Sequence, residues 1–357
     1  MKILGWPAFK HNGLNPYTAL LYTSMQSLGV EVEDYSVVRA FTGRYEVFHI
    51  HWPEYYIGQR SLLKAFLGTL LLFTSVWLQR ILGARVFWTV HNLQCHNQTR
   101  PVLEKYFWSI FVRSIDGYIC LTEQGKRKAE EKWPRLRAIS GTVVAHGHYR
   151  DQYQNTVSRR DACVKLKIPD GTRVILFFGA IGPYKNVPNL IHVFRKAFRE
   201  DENRVLLLIA GIPQESEVKR LFEQAGDDPR IRLHLRRIAE EEVQLFFNAS
   251  DLVVLPFSEI LNSGSAILSL SFNRPVLVPA QGAMPELRDV VGERWVQMYS
   301  EDLGPEILRD SLEWAAMPRT HADLHDLSWP AIAEKTLNAY YSMRTNGGEI
   351  ADLREAK

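Results

Sequence analysis

Cysteine is scarce in this chain of 357 residues. Cys95, Cys120 and Cys163 are odd in number and lack metal-ligand spacing, which argues against a closed disulfide framework and a cysteine zinc site. A reducing compartment, the cytoplasm, is expected. Net charge is also small, +3 with 43 basic and 40 acidic side chains, and the basic residues are dispersed, so a nucleic-acid partner is not expected. Common catalytic signatures are absent too. No GxGxxG follows the first strand-like run, which disfavours a dinucleotide oxidoreductase, and no GxxxxGK[ST], GxSxG or HExxH occurs. No metal site is expected. The polar loop after Met1 to Leu4 leaves no room for the apolar region of a secretory signal, so the sequons at Asn97 and Asn248 read as chance matches. The longest uncharged apolar run, Ala65 to Leu78, is about 14 residues, short of the roughly 20 that span a bilayer. Arg60, Lys64, Arg80 and Arg85 flank it, a pattern suited either to a helix lying on an anionic membrane surface or to a buried helix.

What the chain does contain is a steady alternation of strand-like and helix-like segments, which predicts two α/β domains. In the first half MKILGW, Tyr45 to His51, ARVFWTVHN, GYICLT and TVVAHGHY read as strands. In the second VILFFG, RVLLLIAG, IRLHL, DLVVLP and RPVLVP do. The polar stretch Asp151 to Thr172 ends in Pro169-Asp170-Gly171 and reads as the link. The expected division is 1–160, then 161–329, with 330–357 a final helix and tail.

Two strand-to-helix junctions in the second half carry phosphate chemistry. Gly179, Gly182 and Lys185 form a turn that lets backbone approach a ligand beside a compact positive charge. Glu259 follows DLVVLP, and Ser263, Gly264 and Ser265 open the next helix, offering amides and hydroxyls to anionic oxygens. Either turn alone is an ordinary βα loop; two in one domain point to a diphosphate. In the first half His49 and His51 share one face of a strand, followed by Trp52 and Glu54. His91 and His96 end the next strand, and His146 and His148 the last, which places polar side chains at strand ends where open α/β sheets bind ligands.

These segments resemble a GT-B glycosyltransferase over almost the whole chain. GAIGPYKNVPNLIHVF, RRIAEEEVQLFFNASDLVVLPFSEI and SGSAILSLSFNRPVLVPAQGAMPEL follow the order of nucleotide-sugar-binding segments in that superfamily. NGLNPYT, HIHWPE, TVHN and VVAHGHY are similar to the bacterial exopolysaccharide enzymes of the xanthan β-mannosyltransferase type. The resemblance implies two Rossmann-like domains facing across a cleft, the first for acceptor and the second for donor. It implies that Lys185 contacts the donor diphosphate, Glu259 the donor sugar or its neighbour, that Ser263 to Ser265 hold a phosphate, and that the loop at Arg237 and Ile238 borders the nucleotide base. His91 would sit near the sugar, and Gly13, Asn15 and Tyr17 in an acceptor-side loop. The chain departs from the retaining branch of the superfamily at Ile267, where a second glutamate is usual, and it lacks an arginine before Lys185, leaving Arg236 or Arg237 to supplement it.

The expected reaction is therefore displacement at the anomeric carbon with inversion, mannose moving from GDP-mannose to a lipid-linked saccharide at the inner face of the cell membrane. The general base is expected from the first domain, His91 or Glu54 ahead of His51 and His96. No cofactor is expected, the nucleotide sugar being a substrate. A UDP-sugar transferase, an epimerase of the same fold and a non-catalytic sugar-nucleotide-binding scaffold are the alternatives.

Overall fold

The computed structural model describes residues 1–10, 15–59, 61–93, 100–198 and 204–342; Gly13 and His96 lie outside the described residues. Two units emerge: Met1–Gly147 together with the chain from Asp326, and His148–His325. The division therefore falls earlier than residue 160. The last helix, expected as a separate piece, belongs to the first unit.

The first unit runs β1 (Lys2–Trp6), α1 (Tyr17–Ser27), β2 (Glu31–Asp34), α2 (Val37–Thr42), β3 (Val47–Ile50), α3 (Glu54–Ile57), α4 (Leu62–Ile81), β4 (Arg85–Val90), α5 (Pro101–Ser114), β5 (Gly117–Cys120), α6 (Glu123–Lys132) and β6 (Ser140–Val143). The second runs α7 (Arg159–Lys165), β7 (Arg173–Phe178), α8 (Val187–Ala197), β8 (Val205–Ala210), α9 (Glu215–Ala225), β9 (Ile231–His234), α10 (Glu240–Ala249), β10 (Leu252–Val254), α11 (Gly264–Ser271), β11 (Val276–Pro279), α12 (Met284–Val291), β12 (Val296–Tyr299) and α13 (Pro305–Ala315). Then α14 (Trp329–Ser342) returns to the first unit, where its Trp329 ring packs on Tyr17 of α1.

Each unit holds a six-stranded parallel sheet, in the orders β2-β1-β3-β4-β5-β6 and β12-β11-β10-β7-β8-β9. Strand order reverses between β1 and β3 in the first sheet and between β7 and β10 in the second. At such a switch point neighbouring loops leave in opposite directions and open a crevice at the carboxyl ends of the strands. The central strands are buried on both faces, which explains their unbroken apolar sequences: all six residues of β8, VLLLIA, are buried. In the first unit Trp88, Trp108, Phe111 and Trp133 fill one side of the sheet.

Two strands escaped the sequence reading. Both β2, EVED, and β12, VQMY, lie at sheet edges, where one apolar residue in two suffices and no continuous run marks the strand. The last strand of the first sheet was also placed too late. Ladder pairing ends at Val143, and residues 144–149 leave the sheet, so His146 stays with the first unit while His148 begins the second.

Candidate functional site

In the second unit both phosphate-friendly junctions meet at the switch point. Gly179 follows β7 with φ +137°, a backbone conformation that favours glycine, and a Cβ there would come within 2.9 Å of Ser265 Oγ on α11. The loop after β10 is tied to the loop after β7 by Ser258 N donating to Tyr184 O at 2.9 Å. Between them lies Lys185, whose ammonium sits 3.7 Å from the Phe257 ring centroid. Burial pushes Lys185 down to about 8, which leaves a desolvated cation in need of a counter-charge. Ser263 caps α11, its hydroxyl accepting from Ala266 N at 3.1 Å. The amides of Gly264 and Ser265 make no hydrogen bond among the described residues, so they point out of the helix start, where an anion gains from both the donors and the dipole.

Other donor-side candidates fall around this crevice. Gly182 opens the turn that carries Lys185, with space closed by Gln214. Glu259 is exposed after β10 and forms no ion pair among the described residues. Arg237 and Ile238 follow β9, the edge strand beyond β8, Arg237 exposed and Ile238 half-buried. Arg236 is excluded as a supplement to Lys185, because both its terminal nitrogens are held by Glu242 at 2.7 Å. Ile267, where the retaining branch has glutamate, is a buried residue of α11.

In the first unit the strand ends of β3 and β4 bring His51, Trp52, Glu54, His91 and Asn92 together. His91 is half-buried, its ring stacked on Trp52 with centroids 4.4 Å apart and edge-on to Tyr17 at 4.9 Å. Burial and the neighbouring His146 and His49 hold it well below the ordinary histidine range, so it is neutral at pH 7. Glu54 is buried and accepts from Asn92 Nδ2 at 2.8 Å; burial pushes it up to about 7, near the value that suits a general base. His51 has no exposed surface and lies behind His91, at 3.1 Å from Nδ1 to His91 Nε2. Its two ring nitrogens are taken up by Tyr22 OH and His91 Nε2. Tyr17, expected in an open loop, is the first residue of α1 and is buried against His51, His91, His146 and Trp329. Asn15 is exposed and accepts from Tyr17 N at 3.1 Å, fixing the helix start.

Sequence reasoning missed Tyr22, Thr89 and Tyr340, which hydrogen-bond the buried histidines. The signal was present: two histidines on one face of a buried strand demand polar partners from the helices that cover that face.

The apolar segment folds as α4, 20 residues with a mean hydropathy of 1.5, long and apolar enough to cross a membrane by length and composition. Its inner face is tied to the first unit: Gln79 Nε2 donates to the carbonyls of Ala40 and Gly43 at 2.7 and 3.1 Å, and Ser75 bonds Tyr35. Its outer face exposes Leu62, Leu63, Phe66, Leu67, Leu70 and Trp77, and neighbouring α5 exposes Val102, Tyr106 and Ile110.

Comparison with known proteins places these features in context. Residues 158–276 match the family model described as glycosyl transferases group 1. Over 353 residues the chain is 30% identical to the GDP-mannose:glycolipid 4-beta-D-mannosyltransferase of Xanthomonas campestris pv. campestris, an alignment covering 94% of this chain and 91% of that one. Among solved structures, sucrose-phosphate synthase from Thermosynechococcus elongatus superposes with a TM-score of 0.65 at 14% identity over 96% of this chain and 94% of that one. Anabaena HepE in complex with UDP and glucose gives 0.63 at 12% identity, over 97% and 99%. At such identities these two show the GT-B fold alone.

Proposed function

The chain belongs to the glycosyltransferases of this family, and we propose that it transfers mannose from GDP-mannose, with inversion, to a lipid-linked saccharide acceptor, as exopolysaccharide assembly requires. The observation that carries the proposal is the switch-point crevice of the second unit. There a desolvated Lys185 and the open amides of α11 stand where a nucleoside diphosphate would leave. As the anomeric bond breaks, charge accumulates on the departing diphosphate, and these donors stabilise it without any metal. Glu259 and the backbone at Gly179 and Gly182 take the sugar and phosphate side, and Arg237 with Ile238 the base. The acceptor hydroxyl gives its proton to His91, with Glu54 the second candidate.

The acceptor's lipid accounts for the outer face of α4 and α5. Lys64 on α4, and Lys105 and Arg113 on α5, are exposed basic side chains of the same two helices, whereas Arg80 is paired with Asp116 at 2.9 Å. Each large apolar side chain of that face gains about 1.5–3 kcal/mol if fully buried. Even partial insertion of five or six outweighs the contribution of the basic side chains, about 1 kcal/mol per residue. In this reading the first unit rests on an anionic membrane surface as a peripheral protein.

The test is transfer of labelled mannose from GDP-mannose to an extracted glycolipid fraction, with EDTA present. Label in the organic phase that requires both protein and acceptor supports the reading. Release of free mannose or isomerised nucleotide sugar without acceptor would identify a hydrolase or epimerase. Turnover of UDP-sugars alone would discard the donor, and binding without turnover would leave a scaffold.

A further inference from the structure

Most tryptophans of the first unit have a role that is plain from their surroundings. Trp88, Trp108 and Trp133 fill the core, Trp329 packs on Tyr17, and Trp77 belongs to the outer face of α4. Trp52 differs. It stands just past the carboxyl end of β3, in sequence between the buried His51 and Glu54, and is itself only half-buried. Its ring lies on that of His91, with centroids 4.4 Å and planes 21° apart, and tilts toward His51 at 5.6 Å. Its Nε1–H has no hydrogen-bond partner among the described residues, and it is not sealed from water as the Nε1–H of Trp88 is.

The backbone sets this ring in place before any ligand arrives. Pro53 follows and restricts Trp52 to extended conformations, and Tyr55 N donates to Trp52 O at 3.2 Å as α3 begins. The contact with His91 removes further side-chain freedom. A large aromatic surface with a polar handle, already held, loses little entropy when it binds. Asn92, at the end of the neighbouring strand β4, adds an acceptor. Its Nδ2 donates to Glu54 Oε1 at 2.8 Å, which fixes the carboxamide, and its Oδ1 has no partner among the described residues. None of the five residues gathered here is a lysine or an arginine, so the cluster does not suit a phosphate. An aromatic surface, an open donor and an open acceptor suit a pyranose instead, whose C–H face is apolar and whose hydroxyls both give and accept.

We propose that Trp52 is a binding residue for the acceptor: the C–H face of the acceptor's terminal sugar lies against the exposed part of the indole, one hydroxyl accepts from Nε1, and a second donates to Asn92 Oδ1. The inference deepens the reading of the first unit as the side that takes a saccharide acceptor, and rests on it for the identity of the sugar. A sugar seated there lies next to the imidazole that takes its proton in that reading.

Two variants of the full chain test this. Trp52→Leu removes the ring, whereas Trp52→Phe keeps a ring to stack on His91 and loses the indole N–H and part of the surface. With the extracted glycolipid fraction as acceptor, Trp52→Leu should raise KM for glycolipid about tenfold or more and Trp52→Phe about threefold to tenfold. The kcat of Trp52→Phe and the GDP affinity of both should stay within about twofold of native, which a general loss of structure would not allow. A second readout needs no turnover. In protein labelled with fluorotryptophan, the fluorine NMR signal that is missing from Trp52→Phe should move when the saccharide released from the glycolipid by mild acid is added, while the signals of the other tryptophans hold. A signal that moves in a protein that transfers no mannose keeps the subsite and discards the reaction. A signal that stays still, or a native KM for glycolipid in both variants, overturns the proposal. So does a loss of kcat with KM unchanged, which would leave Trp52 as a support for His91 alone.

Discussion

In the proposed function Lys185 is the residue on which donor recognition turns. It is half-buried, with no carboxylate placed to neutralise it among its described contacts, and a protonated state pushed down to about 8. A bound diphosphate supplies the missing charge, so binding favours the protonated form and GDP affinity should decline as pH rises above about 8. Lys185→Met should weaken GDP binding tenfold to a hundredfold, about 1.4–3 kcal/mol, and should abolish that decline. Calorimetry at pH 7 and 9 checks both. Glu54 gives a second prediction, with the opposite charge. Its folded value of about 7 is above that of the unfolded carboxyl, so its stabilising contribution is full below about pH 4.3 and is lost as pH rises through 7. Glu54→Gln keeps an acceptor for Asn92 and should raise the melting temperature at pH 8 while leaving it nearly unchanged at pH 4. If Glu54 rather than His91 is the base, the same variant loses turnover; turnover above half of native removes it from that role.

At the scale of elements, the parallel strands β3 and β4 and the helices α1 and α14 bury a histidine cluster whose members resist protonation. Burial takes His49 down to about 3 and His146 to about 4, and holds His51 and His91 well below their usual range. Their folded values are depressed, so the stability they contribute is present above about pH 6.5 and lost as pH falls through that range, by about 1.4 kcal/mol per pH unit for each ring. The urea midpoint should therefore drop between pH 7 and 5.5 by more than in a His49→Gln variant; equal drops would contradict the account. For α4 and α5, Phe66→Glu and Leu70→Glu should abolish sedimentation with anionic vesicles and leave GDP affinity unchanged. Vesicle binding that survived both would place the contact elsewhere. Much of this was legible in the sequence, because buried parallel strands such as β8 are written as unbroken apolar runs and helix starts such as Ser263 carry their cap. Edge strands were not: β2 and β12 need only one apolar face. Nor were the ends of α4, since the uncharged apolar run covers only Ala65 to Leu78 while the helix starts at Leu62 and continues through Gln79 and Arg80, whose polar ends bond to Ala40, Gly43 and Ser114. The partners of the histidines were hidden for another reason. Tyr22 and Tyr340 are hundreds of residues apart, and only the return of α14 brings both hydroxyls to His49.

For the whole molecule, the proposed function assigns each unit a different half of the chemistry. The second supplies fixed positive potential at a switch point, which suits a leaving diphosphate, and the first supplies neutral, buried acid–base groups and an apolar outer face, which suit a lipid-borne hydroxyl. The membership of the glycosyltransferase family rests on the relative's 30% identity across 94% of the chain, and the proposed donor on that relative's name. The most direct measurement is a calorimetric titration of the full chain and of Lys185→Met with GDP and UDP, each in EDTA. The account predicts GDP binding at least tenfold tighter than UDP, preserved without divalent metal and lost or strongly weakened in Lys185→Met. Equal affinity of the variant and the native chain for GDP, or no binding of either nucleotide, would contradict it.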